Sequence, residues 1–480
     1  MKLLPIVCSL VALSLTTVHQ ANASNFTQEN VQKSQKIINQ TIGAYGGADK
    51  ISAFNSVIVD YEVTNINAGQ SRKTTPPWDT SKGERLDAFD FSEHIAVTRF
   101  KGSGAGNRFA ALNVTAGENS ANYNDILKTR SKVEEPNFDA AAGPGIRTNA
   151  TFLLKRLNQY ASSARYLGEI KLNDRPHDLL SFTMPAGPAI TLYIDHKTHL
   201  INKSERVSGP FLVEYYFKNY KRVDGILFPF ENSYTVDGLP SQTFTVKSYK
   251  INENITSFTE PPKGYMDIAA TPAASMKTND MGDGVYWVTQ NNQNSLFVEF
   301  DDHVVMIGGL PGVSQRIEEV KKTLPNKPVK YTVMTHHHSD HIGGSQEVQD
   351  AGIEFVSVKA HEKVIREALA EKDQKTAKFE FVENKKVFKD NNQTLEIYDI
   401  GPTEHTEHLL LAYLPKQGII FEADHFGAPA AGPMPPRTPN IEALVTSIKK
   451  RGLKVKYIAS AHSNKVATFE QLMESYNKTL

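Results

Sequence analysis

Through much of the first half of the chain, hydrophobic and polar positions alternate with a period of two. Ile190, Leu192 and Ile194 interleave with Thr191 and Tyr193, and Phe244 and Val246 with Thr243, Thr245 and Lys247. This is the pattern of half-buried antiparallel strands. Val223-Asp224-Gly225 and Val236-Asp237-Gly238 supply hairpin turns between such runs. Upstream, a polar helix carrying Ile37, Ile38 and Ile42 is predicted to end near Gly46-Gly47. Residues 64–150, rich in Gly, Ser, Asn and Thr, show no periodicity that predicts an element.

Beyond residue 281 the pattern changes to short apolar runs alternating with helical spacing. Val285–Thr289, Leu296–Phe300, Val304–Ile307, Tyr331–Thr335, Ile353–Val358, Leu395–Ile400, Leu409–Leu414 and Tyr457–Ala461 read as strands. Val313, Ile317, Val320 and Leu324 lie four, three and four apart on one helical face. Ile441, Leu444 and Ile448 mark a helix that stops near Gly452, and Thr468 with Gln471 forms a capping box for the last one. The fold class is therefore α+β, with a mainly antiparallel β domain over 24–260, a Pro/Ala/Ser-rich linker over 261–280, and a mixed, helix-layered domain over 281–480.

Composition narrows the chemistry. Lys+Arg and Asp+Glu are both 53 in 480 residues, so no global field favours nucleic acid. Lys2, the apolar stretch to about Leu15 and Ala21-Asn22-Ala23 form a secretory signal over residues 1–23, too short in its apolar run for a membrane anchor. A periplasmic or secreted protein is expected. The single cysteine, Cys8, leaves with that segment, so the mature chain has His, Asp and Glu but no thiolate for metal or acid-base work. Ten of the 15 histidines follow residue 300, which puts that chemistry in the second half.

The strongest motif is Thr335-His336-His337-His338-Ser339-Asp340-His341-Ile342-Gly343-Gly344. An extended segment leaving a strand points alternate residues the same way, so His336 and His338 can share one metal. The following turn redirects Asp340 and His341, and Gly343-Gly344 is expected to let the backbone turn tightly into a helix. His337 should point away, toward packing or a supporting hydrogen bond. His303 and His361 read as surface residues.

These residues resemble the His-x-His-x-Asp-His signature of the metallo-β-lactamase-fold hydrolases, an αβ/βα sandwich. The resemblance continues in order. Gly401-Pro402-Thr403-Glu404-His405-Thr406 is similar to the family's next motif, with Pro415 ten residues after His405; Asp424 follows nine residues later, and His462 ends the strand Tyr457–Ala461. The ten-residue spacing favours His405 over His408. The resemblance implies two metals: His336, His338 and His405 hold the first, Asp340, His341 and His462 the second, and Asp424 bridges them. Two zinc ions suit this donor set, with iron or manganese as alternatives. A shared hydroxide would be the nucleophile, and Asp340 a proton acceptor. One departure is Gly308-Gly309 where the family usually has an aspartate supporting the ligands. Residues 185–255 also resemble the half-barrel of periplasmic lipoprotein carriers.

Absences then sort the substrates. The cysteine-bearing β-lactamases are excluded, and Asp424 stands where another dizinc β-lactamase branch typically has serine. Only 18 residues follow His462, against a glutathione-binding extension, and 37 lie between Asp424 and His462, against an inserted nuclease domain. The expectation is an exported dinuclear hydrolase of a small, hydrophobic ester, lactone or thioester, with no nucleic-acid partner and no stable membrane insertion. The apolar stretch 426–436, ending at Arg437, reads as a loop lining the site, and His425 as a candidate substrate contact. Alternatives are a phosphodiesterase or β-lactamase of the same fold, an iron-dependent sulfur oxidoreductase, or a lipophilic-ligand carrier with a metal-bound relic domain.

Overall fold

The computed structural model describes residues 20–209, 211–269 and 275–479. The segment read as an export signal, residues 1–23, lies outside the described residues except for Gln20–Ala23, which open the helix Gln20–Tyr45. None of the described helices is long and apolar enough to cross a membrane.

In the first domain, strands order themselves into one 14-stranded sheet. From Arg165–Leu172 at one edge the chain meanders through Arg175–Phe182, Ile190–Asp195, Ile201–Ser208, Phe211–Val223, Ile226–Val236 and Leu239–Ile251. Leu239–Ile251 then pairs with the much earlier strand Ser56–Asn65, from which a second meander runs through Ser81–Asp90, Ile95–Gly104, Asn107–Thr115, Ala121–Asn124 and Thr129–Lys132. Every pairing is antiparallel until Met266–Ile268, which joins Thr129–Lys132 in parallel. Alternation explains the burial: Val57, Val59, Tyr61 and Val63 turn inward from one strand. Against that face pack Gln20–Tyr45, through Ile37, Ile38 and Ile42, and Ala150–Gln159, through Phe152, Leu153 and Leu157. Phe54, Phe89 and Phe228 complete the core.

The five strands between residues 81 and 132 fall in the stretch where the sequence predicts nothing. Their inward residues are few, and strands such as Ile95–Gly104 end half-exposed in Lys, Gly and Ser, so the alternation fades. The half-barrel-like segment 185–255 is one continuous part of the larger meander.

The expected linker carries a strand near each end: Met266–Ile268 belongs to the first sheet, and Lys277–Asp280 pairs with Val285–Gln290 in the second domain. That domain is a four-layered αβ/βα sandwich, as expected. Its two sheets run Lys277–Asp280, Val285–Gln290, Gln293–Glu299, Val304–Ile307, Val329–Val333, Glu354–Ser357, Phe379–Phe381, and Lys385–Lys389, Thr394–Asp399, Leu410–Leu414, Ile419–Glu422, Tyr457–Ser460, Ala467–Thr468. Strand Val304–Ile307 shows how the layers form. Val305 and Ile307 face the other sheet, whereas Val304 and Met306 face the helix Val313–Lys321 through Val313, Ile317 and Val320. On the far side the helices Pro439–Arg451 and Phe469–Asn477 cover the second sheet, the latter begun by the expected capping box of Thr468 and Gln471.

Candidate metal centre

The strand Val329–Val333, buried at Thr332 and Val333, lies between two parallel neighbours, so its C-terminal end opens where loops gather. The chain leaves it extended through His338 and then enters the short helix Ser339–Ile342. His336 and His338 consequently meet edge to face, their ring centroids 4.4 Å apart, and the helical turn swings Asp340 and His341 toward the same space. The glycines that follow act differently from expectation. Gly343 and Gly344 have ordinary negative φ values of −64° and −90°; they are needed for close approach, since a Cβ on Gly344 would meet the Leu310 carbonyl oxygen at 2.6 Å.

Three adjacent strands of the other sheet bring the remaining groups. His405 lies in the loop before Leu410–Leu414, Asp424 just after Ile419–Glu422, and His462 just after Tyr457–Ser460. Donor atoms of His336, His338 and His405 lie within 4.8 Å of one another, as do those of Asp340, His341 and His462. Asp424 sits between the triads: its Oδ2 is 2.9 Å from His341 Nε2 and 3.4 Å from both His336 Nε2 and His405 Nε2, and its Oδ1 is 3.6 Å from His462 Nε2. All seven residues singled out in the sequence thus meet in one place. His408 is elsewhere, half-exposed, with Nδ1 2.7 Å from Asp399 Oδ2.

The outer hydrogen bonds determine which ring nitrogen faces inward. A carbonyl only accepts, so the nitrogen opposite it carries the proton, and a neutral imidazole then keeps its lone pair on the other. His338 donates from Nε2 to the Ser71 carbonyl at 3.1 Å, which leaves Nδ1 buried and without a partner. His405 donates from Nδ1 to the Ala105 carbonyl at 2.9 Å, and His462 from Nδ1 to the Asn292 carbonyl at 3.1 Å. His336 and His341 turn their Nδ1 atoms to the Thr335 hydroxyl, at 3.2 and 3.4 Å.

This arrangement fits divalent cations. Nε2 atoms approach in pairs, His405 to His336 and His462 to His341, each at 3.1 Å. Lone pairs so placed beside two carboxylates require positive charge between them, and five imidazoles with two carboxylates suit zinc. The electrostatics express the same demand. Burial disfavours charge on His462, but Asp340 and Asp424 push its pKa up to about 9. Burial opposes ionisation of Asp424 too, yet His341, His405 and His336 hold it well below the usual carboxylate range. Asp340 is lowered likewise, by His341, His462 and Gln70, against its own burial. His336 and His338 are depressed by burial and by neighbouring imidazoles.

Gln70, Asn294 and Glu422 contribute to the centre without any mark in the sequence. Gln70 donates to Asp340 Oδ1 at 2.7 Å, and His337 turns outward as expected, Nε2 2.9 Å from the Ser71 carbonyl. Asn294, fully buried, donates to the carbonyls of Ser460 and Ser463 and so fixes the turn bearing His462. Glu422 accepts from the His425 amide at 2.7 Å, and burial pushes its carboxyl up to about 8. The aspartate absent at Gly308-Gly309 has no room: a Cβ on Gly309 would lie 2.5 Å from Met334. His361, read as a surface residue, is buried with its ring 4.9 Å from that of His337, because the loop after Glu354–Ser357 folds back over the motif. His303, read likewise, is largely covered by stacking on Phe300 at 5.1 Å.

Beside the centre is a cavity of about 290 Å³ between the domains. Asp424 and His462 line it together with Phe426, Pro435 and Pro436 of the apolar loop, while Asn107, Arg108 and Ile126 close it from the first domain. His425 also lines it, buried, with neither ring nitrogen hydrogen-bonded.

Among solved structures, a metallo-beta-lactamase from Pontibacter korlensis aligns at 20% identity and a TM-score of 0.34, covering 42% of this chain and 97% of that one. FIM-1 from Pseudomonas aeruginosa, a metallo-beta-lactamase in a mono-zinc form, aligns at 21% identity and 0.32, covering 42% and 94%. A search of curated proteins gave no match. Residues 288–462 match the family model of the metallo-beta-lactamase superfamily, and the C-terminal domain belongs to that superfamily of metal-dependent hydrolases.

Proposed function

We propose that the protein is an exported dinuclear metallohydrolase acting on a small, hydrophobic ester, lactone or thioester. The observation that carries this reading is the meeting of two three-residue donor sets around Asp424, beside a cavity walled by Phe426, Pro435 and Pro436. His336, His338 and His405 would hold one ion, Asp340, His341 and His462 the other, and Asp424 both. Divalent ions held there, zinc by donor type, would supply the acidity that brings the pKa of water toward 7 and would polarise the substrate oxygen.

The chain's own groups supply the rest. Asp340 is held ionised, its Oδ1 accepting from Gln70 and its Oδ2 lying 3.2 Å from His462 Nε2, and would serve as the proton acceptor for the attacking water. The apolar part of the wall, Phe426, Pro435 and Pro436, would receive a hydrophobic acyl or alkyl group. Arg108, on the first-domain wall, favours substrates that also carry an anionic group. The carrier alternative finds no support in the first domain, whose inner face is filled by its own helices and by Phe54, Phe152 and Phe228.

A panel of esters, lactones, thioesters, phosphodiesters and β-lactams, run on metal-loaded protein, tests the reaction. Turnover confined to carboxylic esters, lactones or thioesters supports it, whereas turnover confined to phosphodiesters or β-lactams contradicts the proposed bond type. Fractionation and N-terminal sequencing test export. A mature start near Ser24 outside the cytoplasm is expected, and a cytoplasmic chain retaining Met1 contradicts it.

A further inference from the structure

We infer that the first domain is a built-in part of the metal centre, setting the inward face of two of the three ligands in the His336, His338 and His405 triad. The inference rests on the proposal that this triad holds a metal. The two groups responsible are backbone carbonyls, Ser71 for His338 and Ala105 for His405, and each is held by its own fixture.

Ala105 and Gly106 are the two-residue tip of the hairpin formed by Ile95–Gly104 and Asn107–Thr115, with φ of 48° and 75°. Such a turn needs left-handed backbone at both positions. The tip seats on the second domain at Asn440, fully buried at the start of the helix Pro439–Arg451, whose Nδ2 donates to the same Ala105 carbonyl at 2.8 Å. The fit leaves no space for a side chain, since a Cβ on Gly106 would lie 2.0 Å from Asn440 Oδ1. Ser71 is held by Asp79. One carboxylate oxygen of Asp79 accepts from Ser71 Oγ at 3.1 Å and from the Arg72 amide at 3.0 Å, while Ser71 Oγ accepts from the Asp79 amide.

Arg72 then ties this loop to the one bearing His405. Its Nε donates to the Thr403 carbonyl at 3.0 Å, and its carbonyl accepts from the Glu407 amide at 3.1 Å. The second triad depends less on the first domain. His341 and His462 take their outer partners, Thr335 and Asn292, from the second domain, and only Asp340 reaches across, to Gln70. Fixing the outer nitrogen of a histidine fixes its tautomer and ring orientation, and losing such a partner typically weakens metal binding about 10- to 100-fold. Gly106 and Asp79 are therefore positioning residues, acting on the centre through the carbonyls they fix.

Zinc titration with a competing chelator on the full chain tests this. In a His462→Ala background, which leaves the first triad whole, Asp79→Ala and Gly106→Ala should each weaken zinc binding about 10- to 100-fold. Adding Asn440→Ala to Gly106→Ala removes the steric conflict and should restore part of the loss. In a His405→Ala background the same two substitutions should change zinc affinity less than about threefold, and the metal-free melting temperature should stay near that of the parent. Equal weakening in both backgrounds with a lowered metal-free melting temperature would mean general destabilisation and overturn the inference. Unchanged affinity in both would overturn it too. If the unaltered chain takes up no zinc, the reading of the centre fails and this inference fails with it; normal uptake by the unaltered chain and the variants alike refutes the inference alone.

Discussion

The two domains meet at the same centre with different kinds of chemistry. From the second domain come side chains: seven donors in the loops and the short helix at the strand ends, brought together by parallel and antiparallel neighbours whose register leaves little choice. The first domain contributes chiefly backbone, the carbonyls of Ser71 and Ala105, with the side chains of Gln70 and Arg108 beside them. A side chain that binds a metal must be of a particular type. A carbonyl that orients it can belong to almost any residue, provided the chain is bent to present it. The binding half of the centre is thus written in residue identity, and the orienting half in loop geometry.

That division sets the sizes of the expected effects. The largest belongs to Asp424, the one residue between both triads. Asp424→Ala should lower hydrolysis by more than about 100-fold, beyond the range of an orienting partner, and should reduce metal content at both positions. Elemental analysis beside rate measurements checks this, and full metal content with unaltered rate would remove Asp424 from the centre. Next come the two histidines three residues apart. His405→Ala should empty the first triad and nearly abolish turnover, whereas His408→Ala, breaking contacts with Asp399 and the His361 ring, should leave metal bound and activity measurable. The reverse ranking would move the ligand to the start of the strand.

A smaller effect is expected at the cavity wall. Arg108→Ala should raise KM several-fold for a substrate bearing a carboxylate while leaving a neutral analogue and the metal content unchanged. An equal change for both substrates would deny Arg108 a part in selection.

The smallest effect, on stability alone, belongs to a half-buried lysine of the first domain. Lys155, on the helix Ala150–Gln159, donates to the Ile51 carbonyl and lies near the rings of Phe54 and Phe91, and burial lowers its pKa to about 8. Between that value and the unfolded value near 10.5 the unfolded chain binds more protons, so stability should rise as pH climbs through this window. Lys155→Met should accordingly raise the melting temperature at pH 7 and raise it less at pH 10, with metal binding unaffected. A gain independent of pH would point to packing instead of charge.

The same contrast explains what the sequence discloses. The motif around His336, the spacing of His405, Asp424 and His462, and the periodic strands and helices of 281–480 are legible because each depends on side-chain type at a fixed interval. The helix ending near Gly46 and the hairpin turns at Asp224-Gly225 and Asp237-Gly238 are legible for a related reason, since their left-handed positions favour Gly and Asp. Strands such as Ser81–Asp90 and Ile95–Gly104 are not, because half-exposed strands alternate only weakly. The roles of Ser71 and Ala105 are invisible at this level. Neither residue's identity matters to its carbonyl, and the contacts span 267 and 300 positions of chain.

The central claim is a dinuclear centre with one ion in each triad and Asp424 between them. Anomalous scattering from crystals of the zinc-saturated chain tests it most directly. Two peaks are predicted about 3.5–4 Å apart, one within reach of His336, His338 and His405 and the other of Asp340, His341 and His462. A single peak at full saturation, or a second ion bound away from these residues, would contradict it.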